Sequence, residues 1–195
     1  MIDDEEDETP KNLVMSITSK EDWQIAAVAS LGLLCPWNTE TIEEKLMPYI
    51  DNEGIFVKAG ASLGIGLCSA GINDENDMAY ALLSDSAQNS EHSIVKQCSI
   101  LGLGMAYAGR ARPELQEAFL VSIVDTNSPI EESAFAALSL GLSFVGQCNE
   151  EIAGAIIQTL CERTDDELNT HAARYFGIGL GLLFMGQQNR CDTVL

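Results

Sequence analysis

The sequence predicts an all-α fold, an α-solenoid built from pairs of helices, and three observations predict it. A block of about eleven residues recurs five times along the chain. Each block is rich in glycine, alanine and leucine and is apolar all round, which is typical of a helix buried among other helices. A shorter, amphipathic pattern follows the blocks. Repeats that bury their faces against neighbouring repeats form solenoids.

The five blocks align on a central glycine, which we call the marker glycine. The blocks are AVASLGLLCPW (27–37), ASLGIGLCSAG (61–71), SILGLGMAYAG (99–109), AALSLGLSFVG (136–146) and FGIGLGLLFMG (176–186). The marker glycines are Gly32, Gly66, Gly104, Gly141 and Gly181, separated by 34, 38, 37 and 40 residues. In four blocks a closing glycine follows five residues later, namely Gly71, Gly109, Gly146 and Gly186. The regular spacing identifies one repeat of two helices in each period.

The first helix of each pair is best defined in the fourth block. Ser128 is expected to be its N-cap and Pro129 its first residue, with Glu131 and Glu132 in the first turn. Gly146 is expected to end this helix at the C′ position. A glycine inside a helix costs about 1 kcal/mol relative to alanine, so several of them per helix need a reason. We expect the reason to be close approach of neighbouring helix backbones, which only small side chains allow. This predicts an inner row of glycine-rich helices and an outer row of amphipathic ones.

Two outer helices are expected over residues 113–124 and 150–161. On a wheel of about 100° per residue, Glu151, Gln158 and Glu162 fall within about 20° of one line and form a polar stripe. The residues expected to face the inner row from this helix are Ile152, Ile156, Ile157 and Leu160.

The preceding outer helix repeats this arrangement in phase. Glu114, Val121 and Asp125 share one line, and Glu117 lies beside them. The residues expected to face inward here are Leu115, Phe119, Leu120 and Ile123. Because packed helices lie about 8–10 Å apart, the two stripes together predict an acidic surface large enough for a protein partner.

The charge of the chain excludes several classes of function. It has 195 residues, 30 acidic and 10 basic side chains, and a formal net charge of −20. Nucleic acids and anionic membranes bind clustered lysine and arginine, so we expect neither as a ligand. Six of the acids form the run Asp3–Glu8. We expect an acidic tail and lead-in over residues 1–21 and a solenoid of about four repeats over 22–195, the last of them truncated.

The sequence contains no arrangement that predicts catalysis or a metal site. The six cysteines, at positions 35, 68, 98, 148, 161 and 191, form no C-x-x-C pair, and His92 and His171 are the two histidines. Zinc sites need such clusters, so we expect no metal, no cofactor and no enzyme activity. Buried, reduced thiols in an intracellular protein are the preferred interpretation of the cysteines.

The repeated blocks resemble the proteasome/cyclosome (PC) repeat family. The resemblance covers roughly residues 22–190 and is carried by VKAGASLGIGLCSAGINDE (57–75), ILGLGMAYAGR (100–110) and VGQCNEEIAGAIIQTLCERTDDEL (145–168). These stretches are most similar to the large non-ATPase ubiquitin-receptor scaffold of the proteasome base. The resemblance implies a fragment that forms an arc of an incomplete toroid. We expect its C-terminal end to expose apolar surface and to favour dimerisation. The resemblance also implies ATPase subunits as partners and a location in the cytoplasm and nucleus.

The family implies two binding sites for ubiquitin and ubiquitin-like domains. By position, the first site, for ubiquitin and shuttle factors, matches Glu151, Gln158 and Glu162, although the family has an acid where this chain has Gln158. The helical wheel adds Glu114, Glu117 and Asp125 to this site. The second site, for the ubiquitin-like domain of a deubiquitinase, matches Thr39, Glu40 and Glu43, with Thr39 in place of an apolar residue.

Two alternatives remain open at this point. The chain could be a purely structural PC-repeat spacer, whose acids are only solvated. It could also derive from the sister PC-repeat subunit of the proteasome or from the cyclosome subunit, for which no receptor role is implied.

Overall fold

The computed structural model describes residues 21–34, 42–72 and 77–187. Within these ranges it has ten α-helices and no strand, which confirms the all-α prediction. The helices are α1 (Glu21–Leu34), α2 (Met47–Ile50, entered through a π-helical turn at Ile42–Leu46), α3 (Ile55–Cys68), α4 (Met78–Asn89), α5 (Ser93–Ala106), α6 (Pro113–Val124), α7 (Ile130–Ser143), α8 (Glu150–Glu162), α9 (Asp165–Leu168) and α10 (Arg174–Leu183). Residues 1–20 of the expected acidic tail lie outside the described ranges.

The helices form the two predicted rows. In the inner row, α1, α3, α5, α7 and α10 pack against one another in chain order. In the outer row, α4 packs on α5, α6 packs on α7, and α8 packs on α6. Large side chains from both rows are fully buried between them, including Phe119 of α6 and Phe176 of α10. No helix in the part of the chain that is described combines the length and the apolar content that a membrane crossing requires.

Close backbone approach, as predicted, explains the marker glycines of the middle blocks, although not Gly181 of α10. A Cβ atom built on Gly141 would lie 2.6 Å from the carbonyl oxygen of Gly179 in the next inner helix. A Cβ on Gly104 would lie 2.6 Å from the Cα of Ser139, and one on Gly66 would collide with the backbone of Gly102. Gly66, Gly104 and Gly141 therefore each hold the contact between their own repeat and the next.

The closing glycines connect successive repeats through the backbone. Gly109 and Gly146 have φ values of +75° and +70°, in the left-handed region that favours glycine. Their amides donate to the carbonyl oxygens of Leu142 and Leu182 in the next inner helix, both at 2.9 Å. The expectation that Gly146 is the C′ residue is wrong by one position. Helix α7 ends at Ser143 with Phe144 as its C-cap, and a turn places Gly146 two residues beyond the cap.

The start of α7 also differs from the expectation. Pro129 is the N-cap and the helix begins at Ile130, because the Ser128 hydroxyl donates to the Asp125 carboxylate at 2.6 Å instead of capping the helix. The acids Glu131 and Glu132 lie in the first turn, as predicted. Glu132 has a second role, since it is 5 % exposed and pairs with Lys96 of α5 at 2.8 Å. This pair joins two inner helices.

The cysteines are less uniformly buried than expected. Cys68 is buried, Cys98 and Cys148 are half-buried, and Cys161 is exposed. Cys161 contradicts the expectation because it lies on α8 about 80° from the polar stripe, outside the arc that contacts the inner row. Burial raises the pKa of the Cys98 thiol to about 11. Cys35 and Cys191 lie outside the described residues.

A polar cluster joins α4, α5 and α6. The Tyr107 hydroxyl donates to Asp77 at 2.6 Å and accepts from the Tyr80 amide at 3.1 Å. The Arg112 guanidinium also donates to Asp77, at 2.6 and 2.5 Å. Burial of Asp77, which alone would raise its pKa, is outweighed by the hydrogen bonds from Arg112 and Tyr107, so the pKa of this carboxyl is lowered. The cluster fixes the start of α6 against the preceding repeat.

Replacing Tyr107 with phenylalanine is expected to lower the free energy of unfolding by about 1–2 kcal/mol, because a hydrogen bond to a carboxylate is lost and a buried amide loses its acceptor. Tyr175→Phe is the matched control, since the Tyr175 hydroxyl has no hydrogen-bond partner among the described residues and its ring stacks on Phe135 at 5.1 Å. Thermal unfolding followed by circular dichroism measures both variants. Equal melting temperatures for the two would contradict the assigned role of Tyr107.

Candidate docking surface

The polar stripe of α8 lies on the solvent side of the outer row. Asn149 caps this helix, and its side-chain oxygen accepts from the amides of Glu151 at 3.1 Å and Ile152 at 3.2 Å. Glu151, Gln158 and Glu162 are all exposed, in agreement with the helical wheel. The Gln158 amide donates to the Glu162 carboxylate at 2.8 Å, so these two side chains lie on one face one turn apart.

The stripe of α6 is exposed as well. Glu114 and Glu117 are exposed, and Val121, which shares their face, is 72 % exposed. The Nε atom of Arg112 lies 3.3 Å from the Glu114 carboxylate, so the N-terminal end of this stripe is partly neutralised. The acidic character of α6 is therefore carried mainly by Glu117 and Asp125.

An open groove of about 540 Å³ lies between the two outer helices. Its lining comprises Leu120, Val121, Val124, Asp125, Glu151 and Ala155. Two of the predicted site residues, Asp125 and Glu151, thus line the same groove. The apolar side chains of the lining form the surface that we call its floor. Gln158 and Glu162 lie together farther along α8, whereas Glu114 and Glu117 are not part of the lining. The arrangement can bind a partner that offers an apolar patch surrounded by basic groups.

Polar side chains between the helices fix the width of the groove. The Asn149 amide donates to Gln116 at 3.0 Å, and Gln116 in turn donates to the Glu151 carboxylate at 2.6 Å. At the other end, the Thr159 hydroxyl donates to the backbone oxygen of Ile123 at 2.9 Å. The Glu151 carboxylate is therefore oriented by the neighbouring helix and not by α8 alone.

The loop after α6 orients the second groove acid. The Asp125 carboxylate accepts from the Ser128 hydroxyl at 2.6 Å and from the Asn127 amide at 3.0 Å. These hydrogen bonds, the one from Ser128 first, lower the pKa of Asp125. The carboxylate is thus kept ionised at the edge of the groove.

The wheel predicted one of the apolar side chains incorrectly. Ile152 and Ile156 are fully buried and Leu160 packs half-buried against the core, as predicted, but Ile157 is 37 % exposed. Leu120 is half-buried and lines the groove. Leu120 packs against the core as predicted and occupies a position equivalent to that of Ile157, at the edge of the buried arc. Helix α8 covers Leu120, and no described outer helix follows to cover Ile157.

Val124, Ala155 and Gln116 were not predicted to belong to this surface. Val124 falls about 80° from the stripe of α6 and is 40 % exposed, so a wider angular limit on the wheel would have included it. The contributions of Ala155 and Gln116 depend on how α8 is offset along α6, and the sequence carries no signal for that offset.

The second expected site cannot be described at the side-chain level. Thr39 and Glu40 lie outside the described residues. Glu43 lies in the π-helical turn Ile42–Leu46, of which the structure describes the backbone at this position. Its role remains a prediction.

The fold and this surface define the class of protein: an α-solenoid of helix-pair repeats whose outer row carries an acid-edged apolar groove. The chain is 36 % identical over 180 residues to the "26S proteasome regulatory subunit rpn-1" of Neurospora crassa, and 40 % identical over 177 residues to the "26S proteasome regulatory subunit rpn1" of Schizosaccharomyces pombe. Each alignment covers 91 % of this chain and 20 % of the relative. It is also 42 % identical over 175 residues to the "26S proteasome non-ATPase regulatory subunit 2 homolog B" of Arabidopsis thaliana, covering 90 % of this chain and 20 % of that protein. The chain is thus similar to a segment of these proteasome regulatory subunits, which confirms the predicted resemblance.

The alignments cover only a small part of each relative. The chain spans about one fifth of the length of the curated relatives it matches. No protein-family model matches it. These relatives are proteasome regulatory subunits by name, and the ligand of the groove has to be argued from the residues of this chain.

Proposed function

We propose that this chain is a non-catalytic scaffold segment of a proteasome regulatory particle, acting in the cytoplasm and nucleus, that docks ubiquitin and ubiquitin-like domains in the groove between α6 and α8. The observation that carries the proposal is the exposed apolar floor around Val121 between the carboxylates of Asp125 and Glu151. Ubiquitin and its relatives offer the complementary surface, an apolar patch ringed by basic residues. The partners are then the ubiquitin-like domains of shuttle factors and of a deubiquitinase, with proteasomal ATPase subunits contacting the scaffold elsewhere.

The groove favours a weak and salt-sensitive interaction. Glu151 is exposed and Asp125 is half-buried at the groove edge, and surface charges separated by more than about 8 Å are largely screened at physiological ionic strength. Glutamine at position 158 removes one charge from the stripe and uses its amide to bind Glu162. The apolar floor must therefore supply much of the affinity, and the acids set orientation and association rate.

Replacing Val121 with serine tests the apolar floor directly. Losing a valine side chain that becomes buried on binding costs about 1.5 kcal/mol, so the dissociation constant for ubiquitin is expected to rise about tenfold. Fluorescence anisotropy of labelled ubiquitin titrated with the chain measures this change. The fold is expected to remain intact, because Val121 is exposed.

Ile178→Ser is the matched control for this experiment. Ile178 is 49 % exposed on α10, away from the groove, so its replacement removes a similar apolar surface without touching the proposed site. Binding that is unaffected by Val121→Ser, or that is weakened equally by both variants, would overturn the assignment of the groove. Absence of any saturable binding at millimolar concentration would overturn the proposed function.

One observation favours the alternative of a purely structural spacer. Several of the outer acids already have partners within the chain: Glu114 pairs with Arg112, Glu151 accepts from Gln116, and Glu162 accepts from Gln158. On this alternative the acids serve the solubility and helix packing of the outer row. A native chain that binds no ubiquitin, together with a lower melting temperature when these acids are removed, would favour it.

A further inference from the structure

Arg163, the residue that follows α8, has no place in the surface described so far. Its side chain is 3 % exposed and reaches back beneath the loop between α6 and α7. The guanidinium donates to the carbonyl oxygens of Asp125 at 2.9 Å, Thr126 at 3.2 Å and Ser128 at 2.9 Å. One side chain thus holds three backbone carbonyl groups of the five-residue loop 125–129.

Two further contacts hold the guanidinium itself. It donates to the Ser133 hydroxyl of α7 at 3.1 Å and to the Glu167 carboxylate of α9 at 2.8 Å. Glu167 is fixed in turn by a capping box with Thr164. The Thr164 amide and hydroxyl, followed by Arg163, lower the pKa of Glu167 to about 2.

The geometry requires arginine and not merely a positive charge. A guanidinium has five N–H donors in a rigid planar fork, whereas a lysine ammonium has three donors at one point. The two terminal nitrogens of Arg163 carry four of the five N–H groups, and they make all of these contacts. The Nε atom is buried without a partner among the described residues. Lysine would preserve the charge and lose several of the loop contacts.

The held loop is the one that orients Asp125. Its carboxylate accepts from the Asn127 amide and the Ser128 hydroxyl, so its direction depends on the backbone at residues 125–128. Arg163 holds this backbone through hydrogen bonds to its carbonyl oxygens, and the Asp125 carboxylate lines the groove. Arg163 can therefore control the direction of the Asp125 carboxylate without contacting a ligand itself.

We propose that Arg163 is a positioning residue for the groove: it holds the loop 125–129 so that the Asp125 carboxylate faces a basic, ubiquitin-like ligand. This inference rests on the proposed function and deepens it. It assigns the buried C-cap residue of α8 to the orientation of an acid contributed by the preceding repeat.

A double-mutant cycle on ubiquitin binding tests the proposal. Asp125→Asn is expected to weaken binding about fivefold in the otherwise native chain, and less than about twofold in an Arg163→Lys background, where the loop no longer presents the carboxylate. Glu151→Gln is the control, because Gln116 and not Arg163 orients that carboxylate. Its effect is expected to be the same in both backgrounds, which a general loss of structure would not permit.

Hydrogen exchange supplies a second measurement that needs no ligand. The amides of Asn127 and Ser128 donate to Asp125, and we expect them to exchange at least about tenfold faster in Arg163→Lys. Should Arg163→Lys fail to fold, Glu167→Gln replaces it, since this change on the surface removes one anchor of the guanidinium and is expected to shift both readouts in the same direction.

The outcomes separate this inference from the proposed function. An Asp125→Asn effect that is equal in both backgrounds, or amide exchange that is unchanged, overturns the positioning role while leaving ubiquitin binding intact. A native chain that does not bind ubiquitin overturns the proposed function, and with it the role of Arg163 in binding. In that case faster loop exchange would still establish Arg163 as the residue that holds the loop.

Discussion

Replacing Gly141 with alanine is expected to lower the free energy of unfolding by about 3 kcal/mol and the melting temperature by about 10 °C. The added Cβ atom would lie 2.6 Å from the carbonyl oxygen and 2.7 Å from the Cα of Gly179. Both atoms belong to a helix backbone, so relief requires α7 and α10 to move apart. Such a movement would break the packing between two repeats and the backbone hydrogen bonds of Gly146 and Cys148 to α10.

Gly181→Ala is the matched control for this prediction. Gly181 is the marker glycine of the next block, at the same position of the repeat, and an added Cβ there has no described atom within 4 Å. Alanine should therefore stabilise α10 by about 0.5–1 kcal/mol through helix propensity alone. Chemical denaturation of the two variants gives both values. Similar effects of the two substitutions would contradict the account of the marker glycines.

Reversing two outer charges, Glu151→Lys together with Glu162→Lys, is expected to weaken ubiquitin binding by more than about a hundredfold. The pair places basic groups at both ends of the α8 stripe, where the proposed ligand is itself basic. Like charges facing each other across an interface cost several kcal/mol. The fold should be preserved, because both side chains are exposed.

A second pair of substitutions distinguishes a local effect from one of net charge. Glu53→Lys with Glu91→Lys changes the charge by the same amount at exposed positions before α3 and α5, away from the groove. This control is expected to change affinity by less than about twofold at physiological ionic strength, because the distant charges are screened. If both pairs weakened binding equally, the general charge of −20 would explain the interaction and the groove would not.

Much of the architecture could be predicted from the sequence because it follows from local periodicity. The spacing of Gly104 and Gly141 identified the repeat, and the need for close backbone approach identified the inner row. The helical wheel gave the exposure of Glu151, Gln158 and Glu162, since it depends only on which side of α8 meets the core. Helix α8 is strongly amphipathic, so this side is well defined.

What the sequence did not reveal depends on distances between helices. Ile157 and Leu120 have identical wheel positions, yet one is exposed and the other lines a groove, because only Leu120 is beside a described outer helix. Arg163 gave no signal of its role, since its acceptors are backbone carbonyls about 35 residues away. A backbone carbonyl has the same chemistry in every residue, so no residue pattern marks its partner.

The caps differ for a related reason. Ser128 has the properties of an N-cap residue, but the Asp125 carboxylate competes for its hydroxyl and Pro129 takes the cap position. The local pattern correctly predicted a helix start here, but the N-cap is one residue later than predicted. The Asp125 carboxylate, three residues before Ser128, accepts the hydrogen bond of the Ser128 hydroxyl.

The most direct test of the central claim is a titration of the ¹⁵N-labelled chain with unlabelled ubiquitin, followed by the amide chemical shifts. The account predicts saturable shift changes that cluster at Val121–Asp125 of the α6 end and at Glu151–Gln158 of α8. It also predicts that these changes shrink as salt is raised. No shift changes at millimolar ubiquitin, or changes confined to α4 or to the inner row, would contradict it.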